Sequence, residues 1–167
     1  AVLERDVKRV ESAEATEEYI DYLNKEISQY ISNIIVHETN EKDSTAISAY
    51  FKITGNIERI GDHAADIAEI IPHLVTVRKE GDPAVSQAIA MGKKAHQMIL
   101  DALDALTAED ENAARRVIAA DDAVDYDFNA IKHQLAQEIA EDPGKVDAAL
   151  DLLMVIKYLE RIGDHAV

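Results

Sequence analysis

Glu58 and Asp62 stand four residues apart in the heptapeptide Glu58-Arg59-Ile60-Gly61-Asp62-His63-Ala64, and the same seven letters return as Glu160–Ala166. On a helix, residues four apart are surface neighbours, so the two carboxylates of a pair can converge on one ligand. Among the other acidic pairs with this spacing are Glu17 with Asp21 and Asp121 with Asp125. Such pairs hold a cation, pair with a basic side chain, or stand in solvent.

The connections decide which pairs meet. Folding the first half as an antiparallel hairpin that turns inside the polar stretch His37–Asp43 sets Glu17 opposite Asp62 and Asp21 opposite Glu58. Folding the second half about Glu141-Asp142-Pro143-Gly144 sets Asp121 opposite Asp164 and Asp125 opposite Glu160. Each hairpin thus gathers four carboxylates at one height. Like charges at that range raise one another's pKa, and cations relieve them. All-oxygen ligation suits hard ions such as Mg²⁺, Ca²⁺, Mn²⁺ or Fe³⁺. The internal alternative is ion pairing with Arg59 and Arg161, and spacing leaves both readings open.

Gly61 and Gly163 each cost a helix roughly 1 kcal/mol relative to alanine, which points to something packed close against them. His63 and His165 read as surface residues rather than ligands. A di-iron oxidase needs Glu three residues before His. The six histidines are preceded at that distance by Ile34, Ile60, Ile70, Lys93, Ala130 and Ile162. There is no HExxH and no P-loop. The sequence therefore reads as non-enzymatic.

These acids need long helices to position them, and the chain supplies the pattern. With 167 residues it can bury a real core. Six glycines, three prolines and no long apolar alternation favour an all-α fold. Helices are expected over residues 1–38, from an N-cap at Ser44 to about Val77, over 83–106, from an N-cap at Thr107 to about Ala140, and from Gly144 onward. The stripes run through Leu3, Val7, Val10, Ile20, Leu23, Ile27, Tyr30 and Ile34 in the first helix. A heptad seam follows in the second, from Ile47, Tyr50, Thr54 and Ile57 to Gly61, Ala64, Ala68 and Ile71. Val85, Ile89, Ala95, Ile99, Leu100, Leu103 and Leu106 are expected to face inward from the third helix. In the fourth and fifth the inner faces are Val117, Val124, Phe128, Ile131, Leu135 and Ile139, then Leu150, Leu153, Ile156, Leu159 and Ile162. Glu80-Gly81-Asp82-Pro83 is the clearest break. The organisation expected is two three-helix units, 1–82 lacking its first helix and 83–167 cut short at its C-terminus.

Seventeen basic residues against 33 acidic ones give a net charge of −16. Such a surface repels nucleic acid and anionic membrane, and attracts cations or basic protein faces. No cysteine is present, which removes disulfides, thiolate metal sites and cysteine nucleophiles. No apolar run approaches the ~20 residues of a membrane-spanning helix, and no signal peptide heads the chain. A cytoplasmic setting fits.

The paired motifs, Glu58-Arg-Ile-Gly-Asp62 and Glu160-Arg-Ile-Gly-Asp164, with Ala65-Asp66-Ile67-Ala68-Glu69 after the first, resemble those of the PhoU family. The resemblance implies two three-helix bundle repeats, five of the six family helices being covered. It also implies multinuclear metal clusters at the E(D)xxxD motifs, here Glu17, Asp21, Glu58, Asp62, Asp121, Asp125, Glu160 and Asp164. The ion would be iron, manganese, magnesium, calcium or zinc. The implied function is regulation of inorganic phosphate uptake at the inner face of the cell membrane, with a phosphate transporter as partner and a homodimer as one possible assembly. The stretch Tyr19–Ile27 looks most like the cytoplasmic PhoU-like domain of a Na⁺/phosphate cotransporter. The alternative is a freestanding regulator of a phosphate ABC transporter and a sensor kinase. A third reading is a metal-free acidic scaffold that docks a basic partner.

Overall fold

Asp82 and Asp110 each cap the helix that follows them. The computed structural model describes residues 8–35, 41–79 and 81–167. They form α1 (Lys8–Ile35), α2 (Glu41–Val77), α3 (Pro83–Ala108), α4 (Glu111–Glu141) and α5 (Val146–Ala166), with one 3₁₀ turn at Pro143–Lys145. No strand occurs among the described residues. The expected stripe residues Leu3 and Val7, the turn from His37 to Asn40, and Glu80 lie outside them.

Asp82 caps α3: its Oδ1 accepts from Ala84 N at 2.9 Å and Val85 N at 3.3 Å, with Pro83 at the first helical position. Two expected caps are corrected. Thr107 is not the cap of α4; it lies in the last turn of α3, where its hydroxyl donates to Leu103 O at 2.8 Å. Glu109 then turns left-handed (φ 52°), and extended Asp110 caps α4 by accepting from Asn112 N and Ala113 N. Ser44 likewise sits inside α2, which already runs from Glu41. In both places an already helical backbone continued past a hydroxyl too weak to stop it. Pro72 does not end α2 either.

Helices α3, α4 and α5 pack mutually, α2 lies along α5, and α1 touches α2 alone among the described elements. The core is centred on Met91, Val124, Ile131, Leu135, Leu152 and Ile156. The inner face of α3 matches the expected one at Ala95, is half-buried at Val85, Ile89 and Ile99, and differs at the leucines. Ala84, Ala88, Met91, Ala95, Met98 and Ala105 are buried, whereas Leu100, Leu103 and Leu106 are exposed. Small side chains let α3 lie close to its neighbours, and the leucines fall on the opposite flank. On α5, Ala149, Leu152 and Val155 join Ile156 and Ile162 inside, while Leu150 is exposed. On α4 the expected Val117, Val124, Ile131 and Leu135 are all buried.

The first hairpin is thinner. No described side chain of α1 is fully buried, and Tyr19, Tyr22, Leu23, Ile27 and Tyr30 are exposed. The α2 seam is open at Tyr50, Ile57 and Ala64 and is buried at Gly61, Ala68 and Ile71.

One buried charge was not anticipated. Arg78, 6% exposed, donates to both oxygens of Glu138 at 3.0 and 2.8 Å, to Asp82 Oδ2 at 3.0 Å and to Ala148 O. It thereby joins the end of α2, the cap of α3, the last turn of α4 and the start of α5. The i,i+4 spacing to Asp82 was the only trace of this in the sequence; Glu138 is sixty residues away.

Candidate metal centre

In the first hairpin the carboxylates of Glu17 and Asp21 on α1 and of Asp62 on α2 converge, with one oxygen of each lying within 4.8 Å of the others. Glu58, one turn before Asp62, stands outside that trio but feels Asp62 and Asp21 electrostatically. Gly61 explains how the helices come so near. A Cβ there would lie 3.1 Å from Ile20 Cδ1, so the missing side chain makes room for the isoleucine of the facing helix.

The charges are poorly compensated. Partial burial, then Asp21 and Asp62, push the Glu17 carboxyl above its ordinary value. Burial, then Asp62 and Asp21, do the same to Glu58, with Arg59 pulling weakly the other way. Among the described residues no lysine or arginine forms an ion pair with these four acids. Arg59, one of the two arginines proposed as internal counter-ions, is exposed and does not close on Glu58.

The second hairpin places its four acids at the corresponding level of α4 and α5. Asp121 lies against Gly163, where a Cβ would be 3.0 Å from Asp121 Oδ1 and 3.5 Å from Val124 Cγ1. That oxygen is buried and has no hydrogen-bond partner. Burial, followed by Asp125, Asp164 and Glu160, raises the Asp121 carboxyl above its ordinary value. Here the arginine does close: Arg161 Nη1 donates to Asp164 Oδ2 at 3.2 Å, and its Nε lies 3.9 Å from Glu160 Oε2. Lys157 makes a short contact with the same glutamate oxygen. The acids of this hairpin do not form a trio as tight as Glu17, Asp21 and Asp62.

The donor set fits a hard cation. All eight groups are carboxylates, one trio is already within the reach of a single ion, and Asp121 offers a buried oxygen with nothing bound to it.

His63 and His165 are not the surface residues expected. They stack on each other across the contact of α2 with α5, ring centroids 5.7 Å apart and planes 22° apart, and Tyr158 stacks on His63 at 5.4 Å. Burial, then His63 and Arg59, lower the pKa of His165. Each ring follows directly on a motif aspartate, so the two copies of the heptapeptide stand back to back. The identity of the histidine in both copies was the only sequence signal of this.

A family profile described as PhoU domain matches residues 1–71 and 89–167. A phosphate-specific transport system accessory protein PhoU homolog of Clostridium acetobutylicum is 35% identical over 167 residues, covering 99% of this chain and 75% of that protein. Proteins of the same description from Caulobacter vibrioides (34% identity, 99% and 72% covered) and Xylella fastidiosa (31%, 97% and 68%) are similar throughout. Among solved structures, PhoU from Pseudomonas aeruginosa superposes with a TM-score of 0.92 at 25% identity, over 99% of this chain and 79% of that one.

Proposed function

The chain belongs to the PhoU family, and from that premise we propose that it is a regulatory accessory protein of phosphate transport whose carboxylate quartets hold metal ions. The names of the relatives favour a separate accessory protein over a domain of a Na⁺/phosphate cotransporter. The partner in this reading is a phosphate transport system at the inner face of the membrane, with a sensor kinase as a second contact. No described helix is long and apolar enough to cross a membrane.

The observation that carries the metal reading is the convergence of Glu17, Asp21 and Asp62 from two helices onto one point. Glu17, Asp21, Glu58 and Asp62 would hold ions of the first site; Asp121, Asp125, Glu160 and Asp164 those of the second. A bound cation supplies positive charge where the fold gathers negative charge. The work left to the protein is conformational. The acids tie α1 to α2 and α4 to α5, so occupancy fixes how firmly each hairpin is closed for a partner.

The test is metal analysis of the purified protein followed by thermal melting with and without chelator. An ion that binds only the fold stabilises it by about 2.7 kcal/mol at a hundredfold excess over its Kd. Chelation should lower the melting temperature and the cognate ion should restore it. Absence of metal from the purified protein and identical melts with and without added ions would together defeat the reading. They would leave a metal-free acidic scaffold, a reading favoured by one observation, the pairing of Arg161 and Lys157 with acids of the second hairpin.

A further inference from the structure

We infer that the two quartets are unequal cation sites, the first taking a divalent ion from solution and the second carrying its own cation, Lys157, which an incoming ion must displace. The inference rests on the metal reading above but concerns a residue outside the eight acids. Aligning the two identical heptapeptides places Lys157 where the first copy has Gly55. Lys157 stands one turn before Glu160, and its ammonium group makes a short ion pair with Glu160 Oε2. The same nitrogen lies 5.1 Å from the centroid of the Phe128 ring, so the side chain is held between a carboxylate and an aromatic face of α4. Arg161 adds a second positive charge, on Asp164.

In the first copy the corresponding position is open. A Cβ built on Gly55 meets nothing within 4 Å, and among the described residues no base pairs with Glu58 or Asp62. The tight trio of carboxylates is found on this side. The second quartet offers Asp121 Oδ1, a buried oxygen without a partner, so it keeps the means to bind an ion once Glu160 is released. A tethered ammonium ion at a carboxylate oxygen competes with an ion from solution and repels it. The expected penalty on divalent binding is about tenfold or more.

Mn²⁺ alone is the probe, followed by electron paramagnetic resonance of the free ion and by calorimetry. The wild-type chain should bind Mn²⁺ at one tight site and at a second about tenfold or more weaker. In a Glu58→Gln/Asp62→Asn background, where only the second quartet remains, Lys157→Met should strengthen binding by a similar factor; methionine keeps the stem against Phe128. Gly55→Lys in the wild-type chain should weaken the tight site and leave the weak one unchanged. That substitution enters open space and replaces a helical glycine, so it tests the inference even if Lys157→Met folds poorly. Two equal sites in the wild type, or no effect of either lysine substitution on Mn²⁺ affinity, overturns the inference while the metal reading stands. Absence of Mn²⁺ binding in every variant overturns the metal reading and this inference with it.

Discussion

Helices α1 and α2 carry the acidic pairs of the first copy on a hairpin that rests on the remainder through α2 alone, whereas α4 and α5 carry those of the second copy inside a three-helix core. In the second, Val124 and Ile156 are fully buried beside the acids, and Lys157 and Arg161 offset part of the charge. In the first, Ile20 packs on Gly61, but no described α1 side chain is fully buried and no described base pairs with the quartet. The same heptapeptide therefore works in two mechanical settings. Where apolar burial already holds the helices, carboxylate repulsion is tolerated and internally screened. Where burial is thin, the repulsion acts on the helix pair itself, and a cation has most to add.

The largest effect should separate the two cores. Ile156→Ala, at a fully buried position, is expected to cost about 2–5 kcal/mol and to lower the denaturation midpoint of the whole chain. Ile20→Ala, half-buried, should cost about 1 kcal/mol and mainly speed amide exchange along α1. Equal costs would mean that the hairpin is as well anchored as the core. Next comes Arg78, which connects the two settings. Arg78→Met takes the guanidinium away from Glu138 and Asp82; because Glu138 is partly solvated and keeps Lys145 at 3.4 Å, and Asp82 still caps α3, the loss should be about 2–3 kcal/mol, below that of a fully buried pair. Pairing it with Glu138→Gln should recover part of the loss in a double-mutant cycle.

A smaller effect differs in sign between the copies. In metal-free protein Asp62→Asn removes repulsion from an uncompensated trio and should stabilise slightly, whereas Asp164→Asn takes the charge out of the Arg161 ion pair and should be neutral or slightly destabilising. Each change is expected to stay within about 1 kcal/mol and is read from urea midpoints at matched pH. The same sign in both would show that Arg161 does not screen the second quartet.

The smallest effect is the pH slope. Glu17, Glu58 and Asp121 titrate above their ordinary values in the fold, so the folded chain binds protons more readily than the unfolded one. Stability then falls as pH rises from the ordinary carboxylate values through the folded ones, the reverse of a salt-bridged acid. Between about pH 5 and about pH 7.5 the lowered His165 acts in the opposite direction, so the acids are read by difference: relative to the metal-free wild type, the melting temperature of Glu17→Gln/Glu58→Gln should rise more steeply, or fall less, with pH. An unchanged slope would place its origin elsewhere among the 33 acids.

The five helices and the Gly81–Pro83 break were legible in the sequence, because amphipathic periods and glycine–proline chemistry are local. Asp110 over Thr107, and a helix continuing through Ser44, were misjudged because a cap depends on where the backbone leaves the helix, not on one hydroxyl. Alanine rather than leucine faces inward on α3 because the approach distance of neighbouring helices selects side-chain size, and no single helix encodes that distance.

What the sequence by itself determined was the spacing of the acids. Pairs four apart on helices joined by short turns are brought to one level by the geometry of antiparallel hairpins. Which acids close into a trio, which are met by Lys157 and Arg161, and the burial of Arg78 against a partner sixty residues away were decided only in the tertiary structure. The stacking of His63 on His165 belongs there too. These contacts depend on how two helix pairs lean on one another, and two identical heptapeptides carry no record of the different surroundings into which they are folded.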